Sequence, residues 1–388
     1  MFGFSQGCAV TKHTKLGVES DFFQKPREGS LIKQKIVTDY FVAYNRVMAP
    51  GNKKVGYADL FAGPGFYTDG QDIRHKSIPI LICEAVIASE LFREKVHLWF
   101  NEGDPNYYEQ LNTAIDSFPG VEKFRYKPKV GNKIIDASWA LKLGKLRVPT
   151  LVFLDPCGYK GLSLKLITSV LGGFGNDCMF FFNYSRINMK LDLEIMNRSL
   201  DDFFEPERAQ GLRAKIQGQS ADEREQIIMD AVESAIRDVG AIPVRFGFNS
   251  DSGRRSHYLM FASKNKKAAG MMKAIRKSAS SEIVEGVGSG EHDPHAGKGS
   301  GSLFKGLYEV EVRLLSVFAG LEIRFGVLLE SEAQTGYTET NYRDAILRLE
   351  QDRTVTVDPP ADQRSFQKGG EKRTLPKNVL IRFPKGES

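Results

Sequence analysis

Three short stretches set acids beside glycine or proline in patterns that suit ligand chemistry. Tyr57-Ala58-Asp59-Leu60-Phe61-Ala62-Gly63-Pro64-Gly65 runs an apolar segment into an acid and then into a glycine-rich turn. Glycines there let the backbone approach a ligand and reach dihedrals closed to other residues. The stretch lacks the GK[ST] ending of a P-loop, and Phe66-Tyr67-Thr68 after Gly65 breaks a G-x-G-x-x-G fingerprint. A tight strand-to-helix turn without a ligand would use the same glycines. Further on, VHLWFNEGD closes on Glu102, 43 positions beyond Asp59. An acid at this place accepts hydrogen bonds from ribose hydroxyls, and a minimal NAD unit sets it only about 20 residues on. The longer gap disfavours NAD and requires a lengthened first crossover. Asp104 is the alternative ribose acid, and a solvated acid after a strand is the plainer reading.

The third stretch, TLVFLDPCGYKG, carries Asp155-Pro156-Cys157-Gly158-Tyr159 after an apolar run. Asp155 is the leading candidate for a catalytic or substrate-orienting role, and Tyr159 is the candidate aromatic beside it. The next apolar run ends in Asn183-Tyr184-Ser185, a polar triplet that either faces a substrate or caps a loop. Asn183 is the third candidate catalytic residue. The cysteines Cys8, Cys83, Cys157 and Cys178 form no C-x-x-C pair, so neither a zinc knuckle nor a disulfide framework is indicated. Cys83 and Cys178 lie in apolar stretches and read as core thiols. His292-x-x-His295 has no neighbouring cysteine and reads as a solvated loop, so no metal site is expected.

The elements that would position these residues follow from periodicity. Leu31–Tyr44 has helical spacing, Val55–Phe61 reads as a strand, and Ser77–Phe92 as a helix with Pro79 in its first turn. Val96–Glu102 is a second strand and PNYYEQLNTAID begins a helix after its proline. A third strand is expected near Phe124–Val130, a fourth at Thr150–Pro156 and a fifth at Cys178–Ser185. Strands alternating with helices imply a parallel sheet, and continuous apolar strands imply that both faces are covered. Leu193–Val239 reads as a charged helical cap or insertion, Ile242–Ser263 as a β-hairpin, and KKAAGMMKAIRKS as a helix.

Taken together these motifs resemble the three-Cys-motif partner family of class I S-adenosylmethionine-dependent methyltransferase-like proteins. The pieces that carry the resemblance are KQKIVTDYF with Lys33 and Lys35, YADLFAGPG, KSIP at Lys76–Pro79, the Glu102 strand, LDPCG and FFFNYS. They extend over roughly residues 13–190. The resemblance implies an α/β fold, a Rossmann-like class I methyltransferase domain over residues 1–280 with a helical insertion at about 193–240. It implies S-adenosylmethionine as cofactor, with Asp59, Phe61, Ala62, Gly63, Gly65 and Glu102 around it. Many members carry an acid after the third strand; Lys129-Val130-Gly131-Asn132 stands here, and Asn132 is the replacement for that contact. The Asp155 stretch is similar to the [DN]-P-P-[YF] motif of amino-methyltransferases, although Cys157-Gly158 replaces the second proline. Pro156-Cys157 also resembles the Pro-Cys of cytosine-5 methyltransferases, whose thiolate attacks the base. The strand after it ends without the glutamate those enzymes use, so an inert thiol is the favoured reading. A small three-cysteine, radical-S-adenosylmethionine-like protein is the implied partner, with phage-related biology.

Residues 281–302 are rich in glycine and serine and read as a linker or loop. Residues 303–388 read as a separate winged-helix-like module: helices at Tyr308–Ala319, Leu321–Gln334 and Thr338–Arg353, then two strands in TVTVDPP and NVLIRF. The expected wing holds Lys368, Lys372, Arg373 and Lys377, a basic hairpin suited to nucleic-acid phosphates. The chain of 388 residues has a formal net charge of +6, compatible with such a partner though not specific to it. No apolar run is long enough to span a bilayer, and the start lacks the order of a secretory signal, so a soluble cytoplasmic protein is expected.

Overall fold

The computed structural model describes residues 28–68, 73–136, 138–156, 161–184, 200–250, 254–281, 283–284, 287–295, 306–367 and 373–385. Helix α1 (Glu28–Gly51) leads into β1 (Val55–Asp59), the short pair β2 (Phe66–Thr68) and β3 (Arg74–Lys76), and helices α2 (Ile78–Ile87) and α3 (Glu90–Lys95). Then come β4 (Val96–Asn101), α4 (Pro105–Asp116), β5 (Lys129–Gly131), α5 (Trp139–Leu143), β6 (Thr150–Leu154), α6 (Leu164–Val170) and β7 (Asp177–Phe182). Helices α7 (Pro206–Ile216) and α8 (Ala221–Asp238) occupy the segment read as an insertion. The hairpin β8 (Ile242–Asn249) and β9 (Arg255–Ser263) and helix α9 (Lys266–Ala279) follow, then β10 (Ile283–Val284), β11 (Val287–Gly288) and β12 (Glu291–His292). The last part holds α10 (Leu307–Val317), β13 (Glu322–Arg324), α11 (Phe325–Ser331), α12 (Glu339–Gln351), β14 (Thr356–Asp358) and β15 (Leu380–Arg382).

The main sheet has eight strands in the order β12-β8-β9-β7-β6-β1-β4-β5. Pairing is parallel from β5 to β7, and β9 runs antiparallel between β7 and β8. This is the expected Rossmann-like doubly wound sheet, with an antiparallel strand beyond the fifth parallel one. Strand alternation sends Tyr57, Phe153, Met179 and Phe261 to one face, where they pack with α1, α2 and α9. It sends Ala58, Val152, Phe180 and Met260 to the other, where they pack with α5 to α8. Two covered faces account for the unbroken apolar strands.

Several expectations give way to local chemistry. The helix expected over Ser77–Phe92 breaks in two, because Ser89 turns extended and its hydroxyl accepts from the Phe92 amide at 3.4 Å, starting α3. The third strand shrinks to Lys129–Gly131, since Pro128 has no amide to donate and a 3-10 turn occupies Val121–Lys123. The first half of the Gly/Ser-rich stretch forms strands: β12 pairs in parallel with β8, and His292 is buried beside Phe248 with Ser281 Oγ 3.4 Å from its Nδ1. His292 is therefore not part of a solvated loop. The helix expected from Leu321 instead begins as β13, because Ile323 pairs with Ile381.

The last part has its own apolar core, built on Leu314, Phe325, Tyr342, Ile346, Val357 and Ile381. Its three-stranded antiparallel sheet runs β13-β15-β14. It meets the main sheet through α9, where Lys273 Nζ donates to the Ala333 carbonyl at 2.8 Å and Arg276 Nη1 to the Gly336 carbonyl at 3.0 Å. Burial, with help from Arg276, lowers the Lys273 ammonium to about 8.

Helix α1 is pinned to the sheet from beneath. Tyr40 is fully buried, its ring centroid is 4.7 Å from Phe261, and its hydroxyl donates to Asp177 Oδ2 at 2.6 Å. Burial lifts the Asp177 carboxyl to about 6, although Ser263 and Tyr40 hydrogen bonds oppose it. A carboxyl raised in the folded state stabilises folding below its unfolded pKa, and that contribution is lost as pH rises through about 6. Asp177→Asn carries no charge, so urea unfolding at a series of pH values is expected to move in the variant's favour by about 3 kcal/mol between pH 4 and 7. A variant-to-wild-type difference that stays constant across that range contradicts the assignment.

Candidate functional site

In a doubly wound sheet the strand order reverses at one point, and ligands bind in the crevice at the carboxyl ends beside it. Here β1 lies between β4 and β6. The expected loops after β1, β4 and β6 therefore meet at one edge, although their residues are far apart in sequence.

The loop after β1 is held open by three ties. The Ala62 amide donates to the Asn101 carbonyl at 2.9 Å, and the Gly63 amide donates to Glu102 Oε2 at 2.8 Å. The Gly65 carbonyl accepts from Ser77 through both its amide at 3.0 Å and its hydroxyl at 2.6 Å. Gly63 and Gly65 have φ of 67° and 87°, the left-handed region that glycine tolerates. At Gly65 space is also short, since an added Cβ would lie 3.3 Å from both Ala114 and Leu111. Asp59 is fully buried and accepts from the Phe61 amide at 3.1 Å. Burial pushes its carboxyl well above the ordinary range; the Phe61 amide and Lys33 oppose this, and Asp155 and Glu102 add to it. Asp59 thus shapes the loop through its bond to the Phe61 amide. Phe61 turns its ring toward Gly161 on the opposite face of the sheet.

Glu102 is the convergence point. While Oε2 accepts from Gly63, its Oε1 accepts from the Asp104 amide at 2.8 Å, and both oxygens retain further lone pairs. Asp104 is occupied as the cap of α4, accepting from the Asn106 and Tyr107 amides, which favours Glu102 as the ribose acid. Asn132 spends its amide nitrogen on the Glu102 and Gly103 carbonyls, at 2.8 and 3.2 Å. Those donors fix the loop that carries Glu102. Past Gly103, Ile134 is exposed, and a Cβ on Gly103 would approach its Cδ1 to 3.4 Å. Trp139 donates to the Ile134 carbonyl at 3.1 Å and stacks on Trp99 at 5.3 Å, which fixes this wall.

On the other side of β1, Asp155 follows β6 and Asn183 follows the neighbouring parallel strand β7, so both reach the same edge. Lys33 from α1 bridges to Asp155 Oδ2 at 2.5 Å, with its ammonium 4.4 Å from the Phe181 ring centroid. His257 stacks on the same ring at 4.9 Å. Tyr159 and Cys157 lie outside the described residues, as do Lys368 and Lys372. Arg373 and Lys377 sit far along the chain in the last sheet's surroundings and are engaged there. Arg373 donates to the Arg364 carbonyl at 2.9 Å and covers Phe366, and Lys377 pairs with Glu339 at 3.1 Å.

Two residues escaped the sequence reading. Lys33 was noted only for its place in KQK; nothing local tells that a helix residue will meet an acid 122 positions later. Asn101 is fully buried and laces three segments together. Its Nδ2 donates to the Leu60 carbonyl at 3.1 Å and the Lys133 carbonyl at 2.9 Å, and its Oδ1 accepts from the Lys133 amide at 3.1 Å. A polar residue closing the apolar run VHLWF was the available signal. Asn101→Ala strands these buried groups, and urea unfolding is expected to show a loss of about 2–4 kcal/mol. A loss below about 1 kcal/mol contradicts the lacing role.

No protein-family model matches the chain, and no curated protein matches it. Solved structures do match. A Legionella pneumophila protein of the DUF519 family shares 13% identity, with 62% of this chain and 86% of that chain covered and a TM-score of 0.38. The methyltransferase domain of a bacterial Hen1 protein shares 10%, with 60% and 100% covered and a TM-score of 0.32. Precorrin-6y C5,15-methyltransferase from Geobacter metallireducens shares 13%, with 59% and 87% covered and a TM-score of 0.29. At these values the likeness carries nothing about chemistry.

Proposed function

We propose that the chain is an S-adenosylmethionine-dependent methyltransferase acting on nucleic acid or a nucleotide-like substrate. The observation that carries the reading is the 2.8 Å hydrogen bond from the Gly63 amide to Glu102. It joins a glycine turn and a strand-end acid at the sheet's switch point, the pairing of backbone and carboxylate groups that a ribose-bearing, aminoacyl-bearing cofactor needs. The residues fit that cofactor. Glu102 keeps lone pairs for the ribose hydroxyls, the Asp59–Gly65 loop offers backbone groups to the amino-acid portion, and Gly103 with Ile134 gives an apolar wall for the adenine. When bound, the cofactor supplies an electrophilic methyl group. The protein's part is then positioning: Asp155 and Asn183 orient the acceptor, and Lys33, bridged to Asp155, fixes its rotamer.

The last part of the chain, with its order of helix, strand, two helices and two strands, supports a winged-helix module over residues 303–388. The pairing of Arg373 and Lys377 inside that module weakens the wing as its nucleic-acid contact. A three-Cys-motif protein is the proposed partner, on the motif resemblance alone.

A second reading is favoured by one contact. Lys33 already occupies Asp155 at 2.5 Å, which suits a non-catalytic adaptor of methyltransferase fold that binds DNA and a partner protein. Calorimetry with S-adenosylmethionine separates the two. Wild type is expected to bind in the micromolar range, and Gly65→Asp and Glu102→Ala are each expected to weaken binding at least about tenfold, or 1.4 kcal/mol. A folded wild type that takes up none of the cofactor overturns the enzyme reading in favour of the adaptor.

A further inference from the structure

The opposite edge of the sheet, where the parallel strands begin, gathers cations that the cofactor crevice does not use. Lys53 and Lys54 precede β1, Lys95 precedes β4, and Arg125 and Lys127 lead into β5, which opens on Lys129. These strands are parallel neighbours, so their entries lie side by side. Lys53, Lys54, Lys95, Arg125 and Tyr126 line a shallow concavity of about 550 Å³ there.

Tyr126 organises the charges. Its ring stacks on His97 with centroids 3.6 Å apart, while Lys54 Nζ and Arg125 Cζ lie 5.0 and 5.6 Å from its centroid. An aromatic face holds cations in place in this way. Acids offset the patch only in part: Glu94 pairs with Arg125 at 3.1 Å and Asp116 with Lys127 at 2.9 Å, both in exposed positions. Among the described residues no acid pairs with Lys53, Lys54 or Lys129. Burial lowers the His97 imidazole's pKa, and the Lys54 and Lys129 charges lower it further, as a locally positive field requires.

The cations continue toward the crevice. β5 is the outer strand of the sheet, and Lys127 before it, Lys129 at its start and Lys133 after it are exposed. That line ends beside Ile134 and the Glu102 loop. At about 3.3 Å per residue, the three residues of β5 span roughly 10 Å, the distance of one or two nucleotides.

We infer that the Lys53–Lys54–Arg125 concavity and the β5 edge form a track for the phosphate backbone of a nucleic-acid strand, anchoring it at one end of the sheet and leading it to the crevice at the other. The inference rests on the nucleic-acid half of the function proposed above and is independent of the cofactor. Lysines on an outer strand also discourage pairing with other chains. Such a role explains neither the concavity nor the Tyr126 clamp across separate strand entries.

The test uses the full chain and a fluorescein-labelled single strand of about 20 nucleotides, with anisotropy read over a salt series; log K falls with log salt by about 0.7 per phosphate contact. Lys54→Glu combined with Arg125→Glu is expected to weaken binding at least about tenfold and to flatten that slope by about 1.4, the loss of two contacts. Both residues are exposed, so the far-UV spectrum and unfolding midpoint should match wild type, and so should S-adenosylmethionine affinity. Running DNA and RNA strands side by side identifies which polymer the track prefers. Unchanged affinity and slope in the double variant overturn the track, as does a wild type that binds neither strand. Binding lost instead in Arg373→Glu with Lys377→Glu also overturns it and returns the contact to the wing.

Discussion

The crevice depends on the carboxamide of Asn101. Three chain segments arrive at the carboxyl edge of the sheet with backbone groups that their strands no longer pair: Leu60 after β1, Lys133 after β5, and Asn101 itself at the end of β4. An amide side chain presents donors and an acceptor at once, so a single buried residue satisfies the carbonyls of two neighbours and the amide of one. With those segments fixed, the Asn101 carbonyl takes the Ala62 amide, and Glu102, one residue on, takes the Gly63 amide. The glycine turn thus holds its shape through contacts to the adjacent strand, with glycine at Gly63 and Gly65 permitting the dihedrals.

Helix α1 extends this arrangement across the full height of the sheet. At one end Tyr40 and Tyr44 reach the strand entries, through Asp177 and the Gly175 carbonyl at 2.6 and 2.8 Å. At the other Lys33 reaches Asp155. The first bond sits in the core, where an acid is held largely by burial and two hydroxyls. The second sits at a partly open edge, where the same helix holds Asp155 beside the Phe181 ring. Any shift of α1 along its axis therefore disturbs the crevice as well as the core.

Charge is distributed unevenly between the parts. In the last sheet and its helices several arginines are spent internally: Arg313 forks onto Glu332 with N–O distances of 2.5 and 3.0 Å, Tyr342 donates to the same carboxylate at 2.8 Å, and buried Arg364 meets Glu350. Engaged this way, they tie the elements of that module together. Among the described residues of the main sheet, Arg125 and Lys127 meet exposed acids while Lys53, Lys54 and Lys129 pair with none. The balance between the two regions lies in which side chains meet, since the total charge is the same whatever the arrangement.

The strand-ending acids, the positive-φ glycines and the alternation of strands with helices were legible in the sequence, because each is a local requirement of residue type and spacing. Val55–Asp59, Val96–Asn101, Thr150–Leu154 and Asp177–Phe182 could be found because strands covered on both faces must be apolar throughout. The short elements could not. β12 and β13 exist only because β8 and β15 are there to pair with them, and two or three residues carry no period of their own. Tertiary structure alone decided the partners: that Lys33 meets Asp155, that Asn132 turns its donors on the Glu102 loop, and that the cations before three separate strands share one edge. Those outcomes follow from parallel strands aligning their ends, a relation between segments that no single stretch of sequence contains.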